Sequence, residues 1–91
     1  MKRLEIIANK TIEDDLFDAF ERHHVATSYT LIPVVHGAGH TGLKLGTTVW
    51  PNENFLLIIY CEESEAETIR SIIFDLKKRF KGEGIKLFEI G

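Results

Sequence analysis

The run Phe55-Leu56-Leu57-Ile58-Ile59-Tyr60-Cys61 has no polar alternation, and it constrains the fold of this chain more than any other segment. A strand that is apolar on both faces lies centrally in a covered sheet, or buries one face in its own fold and the other in a subunit contact. The chain has 91 residues, enough for one domain spanning residues 1–91 and for only a modest core. Self-association is therefore an expected source of added stability. With 44% hydrophobic and 27% charged residues the composition is that of a globular protein, not a disordered one.

Around that strand the periodicities alternate between two and about 3.6. Leu4–Ala8 reads as a first strand, with Leu4, Ile6 and Ala8 on one face. Thr11 is the expected N-cap of a helix whose first turn holds Glu13, Asp14 and Asp15, where the helix dipole favours negative charge. Ile12, Leu16, Phe17 and Phe20 form its core stripe, and the helix is expected to end near His23 and His24. Val25–Val35 reads as a second strand, and Pro33 places it at an edge or at a bulge. From His36 to Asn54 the texture changes to that of a long loop, interrupted by Gly37, Gly39, Gly42, Gly46 and Pro51, with a short hairpin at its base. Ser64 and Glu67 have capping-box spacing, and Ala66, Ile69, Ile73, Leu76 and Phe80 recur at helical intervals. Gly82-Glu83-Gly84 stops that helix, and Ile85–Ile90 is a last strand. The order βαββαβ predicts an α+β, ferredoxin-like split βαβ fold, since right-handed crossovers put both helices on one face of a four-stranded antiparallel sheet. The apolar residues on both faces of the Phe55–Cys61 strand predict that the other sheet face is covered by oligomerisation.

Charge and motif content exclude several functions. The formal net charge is −3, and the basic run Lys77, Lys78, Arg79 and Lys81 belongs to a helix C-terminus, so nucleic acid is not the expected partner. The aromatic strand of an RNA-recognition motif is also missing. Cys61 has no cysteine to pair with, which points away from an oxidising compartment. Met1 to Ala8 does not read as a signal peptide, and no apolar stretch approaches the ~20 residues of a membrane span. The expected location is the cytoplasm. No nucleophile elbow, Walker lysine motif or paired carboxylates at motif spacing occur, so the chain reads as a non-enzyme.

Two glycine segments carry a family resemblance. Val34-Val35-His36-Gly37-Ala38-Gly39-His40-Thr41-Gly42 resembles the base of the T-loop of PII signalling proteins, where Gly-x-Gly follows the second strand. Gly82-Glu83-Gly84, within a segment spanning 81–85, resembles that family's B-loop, Gly-Asp-Gly-Lys. The resemblance covers nearly the whole chain. It implies a homotrimer whose intersubunit clefts, lined by one subunit's T-loop base and another's B-loop, bind a small effector such as an adenine nucleotide. It also implies a loop that touches a transporter, enzyme or regulator. The ligand-binding residues so implied are Gly37, Ala38, Gly39, His40, Gly82, Glu83, Gly84 and Lys86, and Lys44 is the loop cation best placed for an anion. Glycines admit close approach of a ligand and let backbone N–H groups face phosphate oxygens. There are departures. His40-Thr41-Gly42 replaces an Arg-Gln-Lys-Gly-like stretch, and Ile85 separates Gly84 from Lys86, which turns the lysine to the opposite face of an extended strand. The chain ends at Gly91, so the family's C-terminal arginines are expected to be absent.

His36 and His40 bracket the glycines as His-x3-His and are the candidate metal ligands. Trp50, Pro51 and Asn54 read as an anchor for the returning loop or as an aromatic wall over a ligand. The expected function is a PII-like regulatory module that oligomerises, binds a small effector and controls a partner through its loop. The alternative is a metal-responsive protein similar to the CutA-type trimers, binding copper or zinc through the loop histidines. A further alternative is an ACT-like interaction module that binds amino acids.

Overall fold

The computed structural model describes residues 1–37 and 53–91. Its elements are β1 (Lys2–Asn9), α1 (Glu13–His23), β2 (Thr30–Val35), β3 (Asn54–Cys61), α2 (Glu63–Arg79) and β4 (Ile85–Ile90), with one 3-10 turn, Lys10–Ile12, between β1 and α1. The strands form one antiparallel sheet in the order β2-β3-β1-β4. This is the α+β ferredoxin-like arrangement expected from the order of periodicities.

Strand alternation sorts the sheet into two faces. Leu4, Ile6 and Ala8 of β1 stand opposite Ile59, Leu57 and Phe55 of β3, and all six are buried against the helices. Leu16 and Phe20 of α1 and Ala66, Ile69, Ile73 and Leu76 of α2 close that core. The opposite face carries Arg3, Glu5 and Ile7 of β1, Leu56, Ile58 and Tyr60 of β3, and Lys86, Phe88 and Ile90 of β4. Among the described residues no helix covers it, and Tyr60 is 57% exposed. Within one chain β3 therefore buries a single face. Its missing alternation reflects a second apolar surface left open.

Three local expectations are corrected. Thr11 does not cap α1, whose N-cap is Ile12 without a side-chain bond; a 3-10 turn intervenes, capped by Asn9, whose side-chain oxygen accepts from the Thr11 N–H at 2.9 Å. Asparagine after a strand competes well for this role because its short carbonyl reaches the amide two residues on. Ser64 does not cap α2, whose N-cap is Glu62 without a side-chain bond. The carboxylates of that turn are engaged elsewhere, with Glu65 accepting the Ala26 N–H at 2.8 Å and Glu63 pairing with Arg70. Finally, β2 starts at Thr30 rather than Val25, because His24 and Ala26 both take φ 53° and break the extended run. Pro33 lies on the edge strand, where the register shifts between Ile32 and Val35, as proline's missing donor requires.

A surface ion network ties α2 to β1 and β4. Arg70 Nε donates to Glu89 at 2.7 Å and its other arm to Glu63, while Lys2 Nζ lies 3.0 Å from Glu63 and 3.6 Å from Glu89. Hydrogen bonds from Arg70 hold both the Glu63 and Glu89 carboxyls below the ordinary carboxylate value, with Lys2 contributing further. A carboxylate lowered on folding stabilises the native state above its unfolded pKa, and that stabilisation is lost as pH falls through the lowered value. Arg70→Gln is therefore expected to lower the thermal midpoint at neutral pH, and the gap to wild type should close on acidification through the carboxylate range. A gap that stays constant with pH would show that Arg70 acts through packing alone.

Candidate functional site

In an antiparallel sheet the last residues of β1 and β2 and the first of β3 and β4 lie at one end. That end gathers His36 and Gly37, Glu53, Asn9 and Lys10, and the Gly82-Glu83-Gly84 segment. Asn9 joins them. Its N–H donates to the Gly84 carbonyl at 3.0 Å, and the next N–H, that of Lys10, donates to the Glu53 carbonyl at 2.9 Å. Asn9 is also the one buried polar residue among those described, which fits a side chain whose oxygen is already bonded to Thr11. The sequence reading passed over it by ending the first strand at Ala8. Its signal was Asn-x-Thr at a strand-to-helix junction.

The Gly82-Glu83-Gly84 turn is closed from inside. The N–H groups of Gly82 and Glu83 both donate to the Phe80 carbonyl at 3.1 Å, so these two amides point back to the helix end instead of outward. Neither sterics nor backbone conformation demands glycine here. A Cβ at Gly37, Gly82 or Gly84 would meet nothing within 4 Å, and the only positive-φ glycine among the described residues is Gly91. The fold of one chain tolerates side chains at these positions, so their absence leaves the backbone open to an approaching group.

The two segments share an end of the sheet but not an edge. Gly37 follows the edge strand β2 and Gly84 precedes the edge strand β4, three strand spacings or about 14 Å across the sheet. Lys86 pairs with Ile7 and is exposed on the open sheet face, whereas Ile85 is buried on the helix side. The single-residue displacement of this lysine thus decides its face, as the strand period requires. Glu83 is exposed in the turn, and His36 is exposed beside Gly37. Ala38, Gly39, His40, Lys44, Trp50 and Pro51 lie outside the described residues. Asn54 opens β3, paired with both Asn9 and Val35.

Among the described residues no three His, Cys, Asp or Glu side chains converge on a point that would hold a metal. Cys61 is buried, and burial together with Glu65 and Glu62 pushes its thiol above the ordinary value, which disfavours the thiolate that metals and electrophiles require. Two shallow concavities among the described residues lie along α1 and α2, bordered by Asp18, Arg22, Asp75 and Arg79, and neither glycine segment lines them. No described helix is long and apolar enough to cross a membrane.

Several solved structures share this architecture. CPII of Thiomonas intermedia K12, a nitrogen regulatory PII-like protein bound to ADP, AMP and bicarbonate, superposes with a TM-score of 0.69 at 19% identity, covering 98% of this chain and 84% of that one. Its apo form gives 0.66 at 16% identity, covering 98% and 87%. A protein of Thermus thermophilus described as a PII-like signaling protein gives 0.60 at 20% identity, covering 98% and 83%. At these identities the likeness establishes the fold. No curated protein matches the sequence. The family description that does match, over residues 1–90, is nitrogen regulatory protein P-II, and the chain belongs to that family.

Proposed function

We propose that this protein is a PII-like regulatory module that assembles as a homotrimer and binds a small anionic effector between its copies. The observation that carries the reading is the position of the two glycine segments, at the same end of the sheet but on opposite edges. A ligand that touches both is best served where the β2 edge of one copy meets the β4 edge of the next. The nucleotide-bound and bicarbonate-bound structures of the Thiomonas protein support an adenine nucleotide as the effector class. Gly37 and the Gly82–Gly84 turn supply open backbone, Lys86 supplies a cation on the open face, and Ala38, Gly39, His40 and Lys44 complete the loop side. The segment 36–54 then controls a partner protein in the cytoplasm, such as a transporter or enzyme, in response to the effector. No catalytic step is assigned to it.

Gly84→Ala separates binding from folding. Because the added methyl meets nothing within 4 Å, the unliganded thermal midpoint is expected to stay close to wild type. Wild type with ADP and bicarbonate is expected to gain stability, by roughly 2.7 kcal/mol at a hundredfold excess over the dissociation constant, and the variant much less. Equal gains in both proteins would remove Gly84 from the site. No gain in wild type with ADP, AMP or bicarbonate would remove the nucleotide reading.

A further inference from the structure

The open sheet face is apolar along Ile7, Leu56, Ile58, Phe88 and Ile90, with Lys86 at one end of it and a polar cluster at the other. Arg3 lies between Tyr60 and Ile90 in the sheet, and Glu5 stands two residues along on the same face. One arm of the Arg3 guanidinium pairs with Glu5 at 2.8 Å, and the other donates to the Tyr60 hydroxyl at 3.2 Å, with the cation 5.7 Å from the Tyr60 ring centre. Arg3 Nε is buried and unpartnered, the one such side-chain atom among the described residues.

We infer that Arg3, Glu5 and Tyr60 form a self-complementary polar lock that fixes how copies of this chain meet across the open sheet face. The inference rests on the proposed assembly and names the residues that give it a single geometry. A guanidinium offers five donors and a carboxylate about four acceptor sites. In one chain the cluster pairs one arm of Arg3 with Glu5 and the other with Tyr60, leaving both donor and acceptor capacity over. A cluster with unused donors and unused acceptors in equal charge suits a second copy of itself. A partner of one sign would leave either Arg3 or Glu5 uncompensated. The surrounding apolar residues favour contact in many registers, but covering the Arg3–Glu5 pair without fresh partners desolvates both charges and leaves their unused donors and acceptors unmet, which is unfavourable. Registers that bring the clusters of neighbouring copies together are thereby selected, as a single polar position selects register in a coiled coil.

The test compares the solution mass of wild type, Arg3→Glu, Glu5→Arg, the exchanged double variant Arg3→Glu/Glu5→Arg, and the apolar double variant Arg3→Leu/Glu5→Leu, each first checked by circular dichroism. Wild type is expected at one oligomeric mass. Each single reversal should fall toward the 10.4 kDa of one chain, and the exchange should restore the oligomer. The apolar variant should remain associated but spread over several masses, because attraction survives and register selection does not. Single reversals that keep the wild-type mass, an exchange that restores nothing, or an apolar variant of one sharp mass would each overturn the lock while leaving the assembly intact. A monomeric wild type would overturn the assembly itself.

Discussion

Truncating Phe55 to alanine is expected to cost about 3–5 kcal/mol of folding stability, a large share of the ~5–15 kcal/mol that holds a domain of this size. Phe55 is fully buried at the start of β3, and its cross-strand neighbour on the core face is Ala8, whose methyl is too small to fill the space a lost ring leaves. The adjacent backbone is pinned by the Lys10–Glu53 hydrogen bond, which limits collapse around the cavity. A urea titration should show the midpoint falling with little change in slope. Leu56→Ala, one residue along on the open face, should cost the single chain far less. Equal losses at both positions would mean that Leu56, half-exposed in one chain, is buried as deeply as Phe55 in the assembled protein.

Placing a charge at Ile58 is the complementary experiment, with its largest effect on association. Ile58 stands at the middle of the open face, between Glu5 of β1 and Thr30 of β2, and is only half-buried in one chain. Ile58→Lys leaves the helix-side core untouched, so circular dichroism should remain that of the folded chain. An ammonium group opposite Glu5 competes with Arg3 for the one carboxylate, and the surplus positive charge left in the apolar surroundings costs more to bury than the contact returns. The expected result is loss of the oligomeric mass with retention of fold. A variant that stays oligomeric would place the subunit contact elsewhere and would release the open face for another partner.

The elements that were legible in the sequence are those whose signal is local. The 3.6-residue stripe of Ala66, Ile69, Ile73 and Leu76 identified α2 because a helix that buries one face must repeat at that period, and all four are buried. Pro33 marked an edge or a bulge because a missing donor is tolerated at either, and the strand has both. The glycine segments were visible because open backbone is written as residue type. Their likeness to PII loops agrees with the family to which the chain belongs.

What the sequence could not decide depends on residues distant in the chain. Ser64 and Glu67 have the right spacing for a capping box, but Glu65 reaches Ala26, 39 residues away, and Arg70 draws Glu63, so long-range partners prevail over the local motif. Asn9 caps a 3-10 turn ahead of the helix whose expected cap is Thr11, and only the fold reveals that the Asn9 N–H bonds the Gly84 carbonyl and that the next N–H bonds the Glu53 carbonyl. The unalternating run 55–61 left two structures open, since apolarity on both faces records burial without saying by what. The helices cover one face, and the sheet order puts the glycine segments on opposite edges. Local periodicity determined the elements of this protein. Tertiary pairing alone decided which face stays open and which ends meet, because those depend on strand order and long-range hydrogen bonds that no local window contains.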